Sequence, residues 1–255
     1  PDLSANLNAP LHTCTDSANG CGHLGSDVGD MRDNSTKAAG REVLAGLDWR
    51  SRLSAIGAQS GLYDRLGADH AALFTRGSNV LLVTFETRDS ILRDRPDQLP
   101  LGYTVAQETG WSSLCLIADH DTWFRAPEVY AFFDDLVDDL TFDDFDRVIF
   151  YGAGMCGYAA AAYSVASPGA TVIVVQPQAT LDPRIAGWDH RFFEYRRLSF
   201  TDRYGFAPDM TEGAERVFVI YDPDVALDAM HAALYARSWA TLLPCRRLGR
   251  DVAGA

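Results

Sequence analysis

No apolar run in the chain approaches the ~18 residues that a membrane-crossing helix requires, so no membrane partner is expected. Basic charge is scarce as well. Against 35 Asp and Glu there are only 22 Lys and Arg, a formal net charge of −13, with Asp far outnumbering Lys. Binding a nucleic-acid backbone needs a basic stripe to neutralise phosphates, and its absence excludes nucleic acid as partner. No G-x-x-x-x-G-K-[ST] loop cradles a phosphate, and Gly152-Ala153-Gly154 lacks the third glycine and distant acid of a dinucleotide site. No cofactor is expected. The N-terminus shows no basic region followed by an apolar stretch, so no secretory signal is read there. The 5 cysteines (Cys14, Cys21, Cys115, Cys156 and Cys245) are odd in number and scattered. Such a set suits reduced thiols and a cytoplasmic location better than a disulfide framework.

What is present reads as a globular α/β chain. Hydrophobic residues make up 47% and charged residues 22% of 255 residues, enough for one domain that buries well over half of its unfolded surface. Residues 1–40 are rich in Asn, Ser, Asp, Gly and Thr with little apolar periodicity, and read as a loosely structured arm. Residues 41–255 read as a single domain. Within the arm, His12, Cys14, Cys21 and His23 are the right types for tetrahedral zinc. Their spacing departs from that of familiar zinc fingers, and no metal site is assigned.

Apolar periodicity then places the elements. Val43, Leu44, Leu47, Leu53 and Ile56 predict an amphipathic helix over 42–63. Residues 70–76 and 79–86 read as two strands joined in a hairpin at Gly77-Ser78. A helical segment over 99–110 and a strand over 113–118 follow. Val129, Phe132, Phe133, Leu136, Val137 and Leu140 share one helical face opposite Asp134, Asp135, Asp138 and Asp139. That acidic side lacks the alternating oxygen ligands of a calcium loop and reads as a solvated face. Strands over 148–151, 171–176, 217–222 and 241–246 alternate with helices, one of them over 229–239. The pattern predicts a doubly wound, mostly parallel sheet, a three-layer α/β sandwich. In such sheets ligands bind beyond the carboxyl ends of the strands.

At one strand end the chain reads Tyr151-Gly152-Ala153-Gly154-Met155-Cys156-Gly157-Tyr158, followed by alanines. Strand, tight glycine turn and helix form the setting of a nucleophile elbow. From about Asn79 to Arg250 the chain resembles an α/β-hydrolase, nearest to bacterial members whose elbow reads Y-G-x-S-M-G-G-Y. Tyr151, Gly152, Met155, Gly157 and Tyr158 carry the match. The resemblance implies a serine at residue 154, where this chain has glycine. It also implies an acid at Asp222 and a histidine after the last strand, where Leu248-Gly249-Arg250 stands. With no hydroxyl at 154 the covalent acyl route of a triad is closed.

The reading that follows is a hydrolase-like protein that binds a small acyl-, carboxylate- or sugar-bearing ligand without catalysis. Gly152, Gly154, Met155, Glu86, Thr87, Asp119, Gln176 and His231 are its candidate binding residues. Met155 and the loop at Glu86 and Thr87 would supply backbone amides for a carbonyl or carboxylate oxygen. The alternative is a non-serine hydrolase or acyl-transfer enzyme acting on an ester or thioester. Its candidate catalytic residues are Cys156, His120 and Asp222. Cys156 lies in the first helical turn, where amides and the helix dipole favour thiolate, and His120 would activate water. Each candidate has a plain structural role beside the chemical one. Cys156 can be a small packing residue, Asp222 or Asp224 the cap of the next helix, and His231 a core histidine paired with Asp228. A homo-oligomer is left open.

Overall fold

A computed structural model describes residues 48–248. His12, Cys14, Cys21, His23, Val43, Leu44, Leu47 and Arg250 lie outside the described residues. The first helix among the described residues, α1, covers Trp49–Ser60, and Asp48 caps it by accepting from the amides of Arg50 and Ser51. It is shorter than the helical spacing predicts. Gly61–Leu66 is instead strand β1, because its backbone pairs with β2 (His70–Thr75) from Gly61↔Thr75 to Leu66↔His70. Pairing with a neighbour overrides the local period here.

The chain continues through β3 (Val80–Thr87), α2 (Arg88–Asp94), α3 (Leu101–Thr109) and β4 (Ser112–Ala118). The hairpin expected at Gly77-Ser78 does not form. β2 pairs with β1 and β4, whereas β3 pairs with β4 and β5 (Arg147–Ala153), so β4 lies between the two strands. The physical reason lies at the turn. The Gly77 amide donates to Ser112 Oγ (2.8 Å) and the Ser78 amide to the Gly110 carbonyl (2.8 Å), tying the connection to the start of β4. The true hairpin joins β1 to β2.

After α4 (Pro127–Asp138) and β5 come α5 (Met155–Tyr163) and β6 (Thr171–Val175). Two short helical turns, α6 (Pro183–Ala186) and α7 (Ala207–Met210), lead to β7 (Arg216–Tyr221), α8 (Ala226–Leu234) and β8 (Ala240–Pro244). The eight strands form one sheet in the order β1-β2-β4-β3-β5-β6-β7-β8. β2 alone runs antiparallel to its neighbours. The α/β class and the mostly parallel, helix-flanked sheet are as the alternating pattern predicts.

The main core lies on one face of this sheet. Val129, Phe132, Phe133 and Leu136 of α4 are buried there, but Val137 is 44% and Leu140 64% exposed. Leu140 falls beyond the helix end at φ 55°, where the helical period no longer applies. α5 is the central element: Tyr158, Ala159, Ala160, Ala161, Ala162 and Tyr163 are all fully buried. Its alanines let the helix approach the sheet closely. Tyr163 stacks 4.4 Å from Phe133 and donates to the Phe124 carbonyl (2.5 Å), which satisfies the hydroxyl that its ring carries inward. A smaller cluster on the opposite face joins Leu53 and Ile56 to Leu73, Ile91, Cys115 and Ile117.

Candidate functional site

β5 delivers the chain to Gly154, which has φ 56° and ψ −125°. A side chain at this left-handed φ is strained, so the turn is costly for any residue but glycine. The geometry is locked from both sides. The Gly154 amide donates to the Val175 carbonyl (2.9 Å), and its own carbonyl accepts from Tyr158 (2.9 Å). Gly152 is required for another reason: a Cβ there would stand 2.2 Å from the Cys156 carbonyl oxygen. At Gly154, by contrast, an added Cβ meets nothing within 4 Å. The turn thus has the close packing of an elbow and open space in the direction a side chain would take.

The loop after β4 closes over one side of this turn. The Trp123 amide donates to Met155 Sδ (3.2 Å), bringing Met155 and the loop together. Trp123 (φ 57°) and Phe124 (φ 52°) are consecutive left-handed residues, both buried. Holding two such residues costs about 1–2 kcal/mol each, offset here by burying both rings. Thr122 fixes the loop: its Oγ1 accepts from the Phe124 amide (3.2 Å) and lies 2.7 Å from His70 Nε2.

His70 itself carries a pH dependence. Burial holds its pKa down, from the ordinary 6.5 to about 4, against the opposing pull of Asp69 and with a further push from His120. An unfolded imidazole takes up a proton near pH 6.5, while the folded one stays neutral until about pH 4. Its contribution is therefore complete above pH 6.5 and is lost as pH falls from there to about 4. The loss is on the order of 3 kcal/mol. We predict that His70→Gln flattens the dependence of the urea midpoint on pH across this window. An unchanged slope would assign the acid sensitivity elsewhere.

The remaining candidates are placed as follows. Cys156 is buried, and its thiol is pushed well above the ordinary range by burial, with the Glu86 and Asp121 carboxylates adding to the effect. Glu86 is buried and caps α3: its carboxylate accepts from the amides of Leu101 (2.8 Å) and Gly102 (3.3 Å) and from Thr84 Oγ1 (2.8 Å). Burial raises its pKa, and those bonds oppose the rise. Thr87 caps α2 by accepting from the Ser90 amide (3.2 Å). Asp119 is held by Arg50 (2.5 Å) and Arg65 (3.3 Å). His120 is exposed and stands 3.4 Å from Asp69 at the β1–β2 turn. Gln176 is buried at φ 46°, one residue beyond β6, and its amide donates to the Ile220 carbonyl (2.7 Å).

Asp222 closes its own turn, accepting from the Asp224 amide (2.9 Å). Neither it nor Asp224 caps α8, whose N-cap is Val225 without a side-chain bond. His231 is fully buried. Its Nδ1 accepts from the Ala179 amide (3.1 Å), which leaves the proton of the neutral ring on Nε2, 3.0 Å from Asp189. Asp228 does not pair with it, contrary to the expectation from their spacing. Asp228 binds Arg191 (2.7 Å), which also binds Asp189 (2.8 Å), so an arginine joins the two carboxylates.

The structure brings Gly154, Met155, Trp123 and the end of β6 together. It leaves His120 beside Asp69 and His231 beside Asp189, in separate settings. Sequence reasoning missed Asp189 and Arg191, which lie in a loop with no period to mark them. A cavity of about 160 Å³ lies at the opposite end of the sheet, lined in part by Phe142, Phe145, Val148, Pro168 and Ala170. It sits at the beginnings of β5 and β6 and is not the strand-end site. Among the described residues no helix is long and apolar enough to cross a membrane, and no group of three or more His, Cys, Asp or Glu could hold a metal.

Strand order, the single antiparallel β2 and the glycine turn between β5 and α5 decide the fold. They give a mostly parallel, helix-flanked sheet of the α/β-hydrolase type. No protein-family model matches the chain, and no curated protein matches it. Solved structures of similar fold include a capsule O-acetyltransferase of Neisseria meningitidis serogroup A in complex with CoA. It is 12% identical, with a TM-score of 0.48 over 75% of this chain and 89% of that one. Est1E from Butyrivibrio proteoclasticus is 15% identical, with a TM-score of 0.45 over 73% and 88% of the two chains. The HSL-homolog EstE7 from a metagenome library is 13% identical, with a TM-score of 0.45 over 82% and 85%. Chemically, the turn leaves open space at residue 154 and carries no nucleophile on that residue.

Proposed function

We propose that this α/β-hydrolase-like protein binds a small acyl-, carboxylate- or sugar-bearing ligand at the carboxyl ends of its strands, without covalent catalysis. One observation carries the reading: the turn at Gly154 keeps its strained backbone and an unobstructed side-chain direction, yet holds no hydroxyl. The alternative through Cys156 needs a thiolate, and burial with two nearby carboxylates favours the neutral thiol. The alternative through His120 needs a base at the turn, and that side chain faces solvent beside Asp69. Asp222 keeps the acid's place in chain order, its carboxylate bonded within its own turn.

The protein is expected to show no labelling by a fluorophosphonate probe and no turnover of 4-nitrophenyl acetate above background. Butyrate or N-acetylglucosamine at millimolar concentration should raise the melting temperature, because a ligand of the folded state alone stabilises it by mass action. Gly154→Leu, which fills the opening, should abolish that rise. Gly154→Ser should fold and still fail to label, since His231 and His70 have ring nitrogens bonded elsewhere. Turnover that survives Gly154→Ala and is lost in Cys156→Ala or His120→Ala would replace this reading with the enzymatic one. No melting shift with either compound would remove these ligand classes.

A further inference from the structure

Two short turns enclose the cavity of about 160 Å³ at the beginnings of β5 and β6. The turn Thr141–Asp144 leads into β5 and is closed by the Phe145 amide, which donates to the Phe142 carbonyl (3.2 Å). Residues 167–170 lead into β6, and there the Ala170 amide donates to the Ser167 carbonyl (3.1 Å). Backbone bonds therefore fix both walls. The inner lining is buried and largely apolar, with Phe142, Phe145, Val148 and Ala170. An apolar cavity of about 150 Å³ takes up a benzene ring, so the space suits one six-membered ring.

Two kinds of polar group line the same space. Ser167 is only 5% exposed, and among the described residues its hydroxyl has no hydrogen-bond partner. A hydroxyl buried in this way is costly unless something in the cavity bonds to it. Water is a poor occupant, because it needs two to four polar partners and the buried side chains of the lining offer this one alone. Asp143, Asp146 and Arg147 also line the cavity and are exposed, which places charge at its mouth. Asp144 is taken by Arg76 (3.3 Å). Among the described residues neither Asp143 nor Arg147 has an ion-pair partner, and the Asp146 carboxylate is met only by Asn79 Nδ2 at 3.5 Å. Uncompensated charges of both signs thus surround the mouth of a ring-sized apolar space with one buried hydroxyl inside.

We propose that this cavity binds a phenol-bearing α-amino acid such as tyrosine. Its ring lies among Phe142, Phe145 and Val148, and its phenol hydroxyl bonds to Ser167. Its ammonium meets Asp143 and Asp146, and its carboxylate meets Arg147. A ligand with only a carboxylate would face two like charges at the mouth. One with only an ammonium would leave Arg147 unpaired. This inference is independent of the function proposed for the Gly154 turn.

The test is an NMR titration of the full chain with tyrosine at millimolar concentration. Amide shifts are expected within residues 142–148 and 166–170, and Gly154→Leu, at the other end of the sheet, should leave the affinity unchanged. Ser167→Ala should weaken tyrosine about fivefold and leave phenylalanine, which lacks the phenol, unchanged. Arg147→Gln should weaken both about threefold, the modest loss expected of an exposed ion pair. Because Arg147 is exposed, that variant keeps the test valid if Ser167→Ala disturbs folding. Phenethylamine and 3-phenylpropionate each lack one of the two charges, and either binding as tightly as phenylalanine would overturn the proposal. Shifts confined to residues 152–157, or no shifts at all, would overturn it equally.

Discussion

Gly152→Ala is expected to cost at least about 3 kcal/mol of folding stability, while Gly154→Ala costs about 1 kcal/mol. The order is the reverse of what backbone angles alone suggest, since Gly154 has φ 56° and ψ −125°. At Gly154 the penalty is conformational, and an alanine recovers part of it by restricting the unfolded chain. Space is not limiting, as no atom lies within 4 Å of the added Cβ. At Gly152 the added Cβ would stand 2.2 Å from the Cys156 carbonyl oxygen and 2.5 Å from its carbon. Those atoms belong to the first turn of α5, whose other side is packed into the main core. Nothing there can give way without moving the helix. Urea denaturation of the two variants at pH 7 checks the prediction, and equal midpoints would contradict it. The contrast separates the glycine that close packing requires from the glycine that only its backbone angle favours. Steric need does not explain residue 154.

The sequence made the α/β class legible because its parallel strands are apolar, short and bounded by turns, as Arg147–Ala153 and Arg216–Tyr221 show. The turn between β5 and α5 was legible because a tight strand-to-helix turn admits few residue types. The first strand was not legible. Gly61–Leu66 continues a helical period into a segment that becomes a strand only by pairing with β2. The hairpin expected at Gly77-Ser78 failed for a related reason: β4, more than thirty residues later in sequence, inserts between the two strands. Local pattern cannot register a partner that distant. The acidic helix was read correctly over Val129–Leu136, and its period was carried too far only at Val137 and Leu140, where α4 ends and the side chains face solvent. At the candidate site, strand-end positions were visible but the bonds that occupy them were not. Glu86 proved to hold the start of α3, and His231 proved to be bound to a carboxylate 42 residues away in sequence.

That carboxylate is the second large lever on stability. Asp189→Ala should cost about 3–5 kcal/mol, because it strands two buried or half-buried donors, the Nε2–H of His231 and the guanidinium of Arg191. For a domain of this size the melting temperature should fall by roughly 10 °C. Asp189→Asn keeps the shape and one acceptor, so it should lose less. The pH dependence gives an independent check. Burial by itself raises the Asp189 pKa, but the hydrogen bonds from His231 and Arg191 outweigh it and hold the carboxyl well below the ordinary 3.8. As pH falls through about 4 the unfolded state binds the proton first, so this stabilisation is complete above that pH and drains away below it. Scanning calorimetry between pH 5 and about 2 should therefore show a shallower acid dependence in Asp189→Ala than in the parent. Parallel curves would mean that Asp189 is not the group that titrates. The network also reaches the candidate site. His231 Nδ1 holds the Ala179 amide, three residues past Gln176, which follows the end of β6 beside the Gly154 turn. Asp189 thus fixes, through His231, the loop that follows β6. Its loss should weaken the ligand binding proposed for the turn in proportion to the freedom that the loop regains, while leaving the backbone of the turn, set by Gly152 and α5, in place.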